Sequence, residues 1–202
     1  MKVKIEKRKS IGRPKSFEKD EVLKLAMNQF WEYGYDSTSL DELLKAMGIK
    51  KSSFYSTFKS KEDIFSQSLD LYREETFCWM NDLKSEIGAK KALIYLFKST
   101  IEELQDSGKI KGCLLVNSAK ECYDKHSVLS KQISIEYNEY VEFVTLFIAK
   151  AQKNNEIKTK QDPKKLAIRI LSMYNGVVSM IQAGADINVV NDLINFIEEI
   201  LE

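Results

Sequence analysis

"MGIKKSSFYSTFKSKEDIF", Met47–Phe65, sets apolar and polar side chains on opposite sides of what can only be a very short helix. At about 100° per residue, Phe54 and Phe58 lie one turn apart on one side. Ser52, Ser53, Tyr55 and Ser56 then face the other way, with Lys50 and Lys51 at the start. Burial accounts for the phenylalanines. It does not account for a face of short hydroxyls and lysines. Such a face can approach a groove closely and donate to phosphates or base edges, and Tyr55 adds a hydroxyl on a rigid stem.

Upstream, Val22, Ala26 and Phe30 recur at i, i+4 and i+8, which predicts a helix over 18–33 closed by Gly34. Ser39-x-x-Glu42 reads as a capping box, so a second helix opens at Ser39, buries Leu40, Leu43, Leu44 and Met47, and stops at Gly48. A third helix spans 51–57, and Ser60 with Asp63 repeats the capping pattern before the next. Two short helices joined by a tight glycine turn match helix-turn-helix spacing. Thr38 and Ser39 stand at a helix N-terminus, where backbone N–H groups attract phosphate. Lys61 opens a helix and gains nothing from its dipole, so phosphate binding supplies a reason for it.

Over about forty residues the joint spacing of Ala26, Phe30, Gly34, Tyr35, Thr38, Ser39, Gly48, Tyr55, Phe58, Lys61 and Glu62 resembles the DNA-binding signature of the TetR/AcrR family of transcriptional regulators. The resemblance implies an all-α fold: an N-terminal three-helix DNA-binding domain and a C-terminal helical domain for effector binding and dimerisation. It implies that Lys51, Ser52, Ser53, Tyr55 and Ser56 enter the major groove of an operator, with Lys50 also DNA-binding, while Thr38, Ser39 and Lys61 hold phosphates. Ser52 stands where many members have glycine, which alters how closely the backbone can approach DNA.

Beyond Lys61 the periodicity is helical throughout, with helices over 61–85, 89–106, 113–123, 127–153, 163–183 and 188–201. Asp162-Pro163 marks the penultimate start as an N-cap followed by proline at N1. That helix carries Leu166, Ile170, Met173, Val177, Met180 and Ile181, and the last carries Val189, Leu193, Phe196, Ile197 and Ile200. Both stripes exceed what one small domain needs from its terminal pair, although core packing alone could still use them. By the resemblance they form a homodimer interface through Leu166, Ile170, Met173, Val177, Leu193, Phe196, Ile197 and Ile200.

Thirteen of the 21 aromatic residues follow Lys61. An effector pocket drawing on Phe65, Tyr72, Trp79, Phe97, Cys113, Asn117 and Tyr140 is expected between these helices. "GKIKGCLLVN" places Cys113 and Asn117 at i and i+4, just after Lys109 and Lys111, and resembles a Gly-Cys-Leu-x-x-Asn element of a TetR subgroup with electrophile- and oxidant-responsive repressors. A helix start beside cations lowers a thiol pKa and makes thiolate chemistry available. A small buried residue is the other reading of Cys113.

The totals set bounds. Net charge is +1, yet residues 1–61 carry 14 Lys/Arg against 8 Asp/Glu, a surplus of six, and the remainder carries 17 against 22. A basic module joined to a mildly acidic one suits a polyanionic partner. We divide the chain into a basic flexible arm (1–16, with Arg13 and Lys15 following DNA), a helix-turn-helix domain (17–61) and a ligand-binding and dimerisation domain (62–202). Three cysteines without metal spacing and one histidine, His126, give no metal centre, cofactor or catalytic set. No run is long enough to cross a membrane, so a cytoplasmic location is expected. The expected function is a homodimeric repressor released by a small-molecule or thiol-reactive effector. The alternative is a helical small-molecule carrier or an enzyme.

Overall fold

A computed structural model describes residues 19–202, so Arg13, Lys15 and the rest of the expected arm lie outside the described residues. The described residues form nine helices and no strand. They are α1 (Lys19–Tyr33), α2 (Leu40–Met47), α3 (Lys51–Thr57), α4 (Lys61–Ile87), α5 (Ala89–Ser107), α6 (Leu114–Cys122), α7 (Ser127–Lys153), α8 (Pro163–Gln182) and α9 (Asn188–Ile200). Every predicted element exists, with ends within one or two residues.

The punctuation works as the sequence predicts. The Ser39 hydroxyl accepts the Glu42 N–H at 3.2 Å, and the Glu42 carboxylate accepts the Ser39 N–H at 2.8 Å. Ahead of α4 the box is only half made. Ser60 accepts the Asp63 N–H at 3.0 Å, but the Asp63 carboxylate takes the Lys59 N–H instead of the cap's own. Asp162 caps α8 through the Lys165 N–H, with Pro163 at the first helical position.

One apolar core runs through the molecule. Val22, Ala26 and Phe30 of α1, Phe54 of α3 and Phe58 just after it are all buried in that core, and Phe30 meets Phe65 of α4 edge-on at 4.9 Å. Thus α4 ties the three-helix unit to the larger one. Arg73 on α4 and the buried Glu136 on α7 form an ion pair at 2.6 Å that braces the two long helices.

The last two helices correct the expected dimer face. Leu166, Ile170, Val177 and Ile197 are at most 1% exposed, packed into this protomer's own core, so they cannot meet a partner. Both sides of α8 are apolar, and the inward side is the one holding Leu166. Its outer row is Ile168, Ser172, Gly176 and Met180, at i, i+4, i+8 and i+12. Ile168, Met180 and Phe196 are 47–48% exposed. Met173, Leu193 and Ile200 sit half-buried beside them, as expected of an edge.

Candidate DNA-reading face and effector cavity

On α3, Phe54 and Phe58 are buried and Lys50, Lys51, Ser52, Tyr55 and Ser56 are exposed. Tyr55 is held upright by edge-on packing against Phe54 at 5.2 Å, which leaves its ring 55% exposed. Ser53 is half-buried, and the Ser56 hydroxyl donates to its carbonyl at 2.7 Å. The face is therefore Lys50, Lys51, Ser52, Tyr55 and Ser56, with Ser53 at its margin.

The expected phosphate contacts change. Thr38 is fully buried and its hydroxyl donates to the Gly34 carbonyl at 2.7 Å, so it locks the α1–α2 turn and offers nothing to solvent. Ser39 is exposed and has both its N–H and its hydroxyl engaged by Glu42 in the capping box. The Lys61 ammonium stands 4.2 Å from the centroid of the Tyr35 ring, a cation–π contact that explains a lysine at this helix start without DNA.

That turn is gripped from the other side. The Glu121 carboxylate on α6 accepts the Tyr35 and Asp36 N–H groups at 2.8 and 2.7 Å. Asp36 in turn takes Lys125 at 2.9 Å and His126 at 2.6 Å, and both hydrogen bonds hold its carboxyl below the usual range. His126 fills the N-cap position of α7 and packs edge-on to Tyr35 at 5.0 Å. Gly34 has φ +84°, and a Cβ there would lie 2.9 Å from a Glu121 oxygen. The turn carrying the DNA-reading unit is thus built into the α6–α7 junction.

A cavity of about 350 Å³ opens among α1, α4, α5, α7 and α8. Tyr72, Trp79 and Tyr140 line it as expected. Phe65 and Phe97 do not, being fully buried in the core. Asn117 lines a neighbouring hollow and donates to the Lys111 carbonyl at 2.7 Å. The sequence reading missed Trp31, Glu75, Glu103 and Tyr174. Trp31 is the consequential one, because it belongs to α1. Its indole N–H donates to the Gly112 carbonyl at 2.9 Å, and Lys111 stands 5.3 Å from its ring. Gly112 has φ +72°, and a Cβ there would overlap Val178 of α8 at 2.6 Å, so this approach requires glycine. A tryptophan off the buried stripe of α1 was the available signal.

Cys113 is buried beside Tyr72, and burial pushes its thiol up, against the lowering expected from its helix start and nearby lysines. The cations are elsewhere: Lys111 faces Trp31, and Lys109 reaches Glu32 at 3.5 Å. Burial likewise lifts Cys122 to about 11, and Cys78 is the exposed thiol. Among the described residues no group of His, Cys, Asp and Glu is placed to hold a metal, and no helix is long and apolar enough to cross a membrane.

Two family models match this chain. The one described as "Bacterial regulatory proteins, tetR family" covers residues 22–67, and "Tetracyclin repressor-like, C-terminal domain" covers 89–197. An uncharacterised HTH-type transcriptional regulator, YezE of Bacillus subtilis, is 36% identical over 112 residues, 55% of this chain and 58% of that relative. The chain therefore spans less than two thirds of YezE. The HTH-type transcriptional repressor ComR of Escherichia coli is 26% identical over 89% of this chain and 87% of its own. Among solved structures, the TetR family transcriptional regulator CifR complexed with 26-bp operator DNA superimposes with a TM-score of 0.77 at 22% identity, covering 95% of this chain and all of that one.

Proposed function

The chain belongs to the tetR family of bacterial regulatory proteins, and from that premise we propose a homodimeric transcriptional repressor that releases a near-palindromic operator when a small molecule fills the α1/α4/α5/α7/α8 cavity. The observation that carries this reading is Trp31: one residue of the DNA-binding unit forms part of the cavity wall and hydrogen-bonds to the turn before α6. A ligand seated there touches the DNA-binding unit directly.

In this reading Lys51, Ser52, Tyr55 and Ser56 read base edges and Lys50 contacts phosphate, with Arg13 and Lys15 following the backbone. Two copies of α3 lie in successive major grooves about 34 Å apart. The partner docks on the outer rows of α8 and α9, around Ile168, Met180 and Phe196. An effector that prefers a dimer with the wrong α3 spacing by several kcal/mol empties the operator.

Selection of bound sites from a random duplex library tests it. The expected result is a near-palindromic motif whose affinity drops about tenfold or more with Lys51→Ala, and less with Tyr55→Phe. Its salt slope of about −0.9 per phosphate neutralised counts the backbone contacts. Uniform weak affinity for every duplex would overturn the repressor reading in favour of a small-molecule carrier.

A further inference from the structure

We propose that the cavity takes a hydrophobic organic cation: a quaternary ammonium or protonated amine on a compact aromatic or branched apolar body. This deepens the effector reading above and rests on it. The wall combines both tryptophans of the chain and three tyrosines with two carboxylates, Glu75 and Glu103, and no lysine, arginine or histidine lines it. Aromatic faces carry negative potential and attract cations, most strongly where water is excluded. An anion entering the same space would meet two carboxylates and no counter-charge.

The charges around the cavity do not cancel this preference. Glu75 pairs with Lys24 at 2.7 Å, but both groups are solvated at the rim and such pairs are weak. Glu103 accepts the Lys111 backbone N–H at 3.1 Å and has no ion-pair partner among the described residues. Lys111 lines the neighbouring hollow, which shares the Trp31 indole with this cavity. The tyrosines add polarity without charge, since burial raises Tyr72, Tyr140 and Tyr174 above their ordinary range. Tyr140 is 5% exposed and lines the cavity. A volume of about 350 Å³ admits a compact ligand.

The same two tryptophans make the test simple, because selectively excited tryptophan fluorescence of the whole protein comes only from residues of this wall. The full-length protein is titrated with benzyltrimethylammonium and with neopentylbenzene, its uncharged isostere. The expected result is a tryptophan response to the cation at a concentration at least tenfold lower, on the order of a desolvated cation–π contact. Glu103→Gln should reduce that preference about tenfold and Glu75→Gln by less, with circular dichroism confirming that both variants fold. Equal or tighter binding of the neutral isostere overturns the proposal. So does a preference left undiminished in the Glu75→Gln/Glu103→Gln double variant, or no cation response up to millimolar concentration. Operator affinity measured in the same titrations separates the two readings: cation binding that leaves it unchanged supports the ligand class and removes the effector role.

Discussion

Gly34 joins the two parts of the molecule at the shortest range, and a single methyl tests that joint. Alanine there would hold φ at +84° and press a Cβ to 2.9 Å from the Glu121 carboxylate. Gly34→Ala should cost about 1–3 kcal/mol, read as a lower denaturant midpoint. Unchanged stability would show that Glu121 moves aside freely. The cysteines yield a second test at this scale. With Cys113 and Cys122 buried and raised by burial, brief alkylation of the native protein at pH 8 should add one adduct, at Cys78. The unfolded chain should take three. A native adduct on Cys113 would restore the thiolate reading. That reading failed for a definable reason: a helix start and two lysines are visible in sequence, whereas the lysines' direction and the thiol's burial are tertiary facts.

Elements were the most legible level, because caps, glycines and periodicity are local. Ser39, Gly48, Asp162 and Pro163 each mark an end that exists. What periodicity could not decide was whether the core or a partner covers the Leu166/Ile170/Val177 face of α8, with Ile168 off that face. The core covers it. Two substitutions therefore separate packing from assembly. Leu166→Ala should cost about 2–5 kcal/mol of stability through the cavity it leaves. Phe196→Glu should leave the protomer folded but give a monomer by analytical ultracentrifugation, with operator affinity lost accordingly. A Phe196→Glu protein that stays dimeric would place the interface elsewhere. The DNA-reading face was legible for a related reason: α3 is so short that once Phe54 and Phe58 face inward, the outward residues have no freedom. Thr38 was misread because its hydroxyl turns inward to the Gly34 carbonyl and the residue is buried.

For the molecule as a whole, what matters is linkage between the reading face and the cavity. Among the contacts that cross from α1 and its turn into the α6 region are the Trp31 indole on the Gly112 carbonyl and the Tyr35 and Asp36 N–H groups on Glu121. Neither was visible in sequence, where the partners are more than 80 residues apart. Linkage is reciprocal, so if a ligand in the cavity weakens DNA binding, operator DNA must change the cavity. Operator should therefore shift the tryptophan emission without any effector present. Trp31→Phe should remove most of that shift, because Trp79 sits on α4 and is not part of the crossing contact, whereas Trp79→Phe should preserve it. Glu121→Gln should keep the fold yet weaken the charge-assisted grip on the turn, with about 1–2 kcal/mol lost and a smaller emission change. Emission that is indifferent to operator in the unaltered protein would mean that the two contacts hold the units together without transmitting state. The three-helix unit would then bind DNA with the cavity as a bystander.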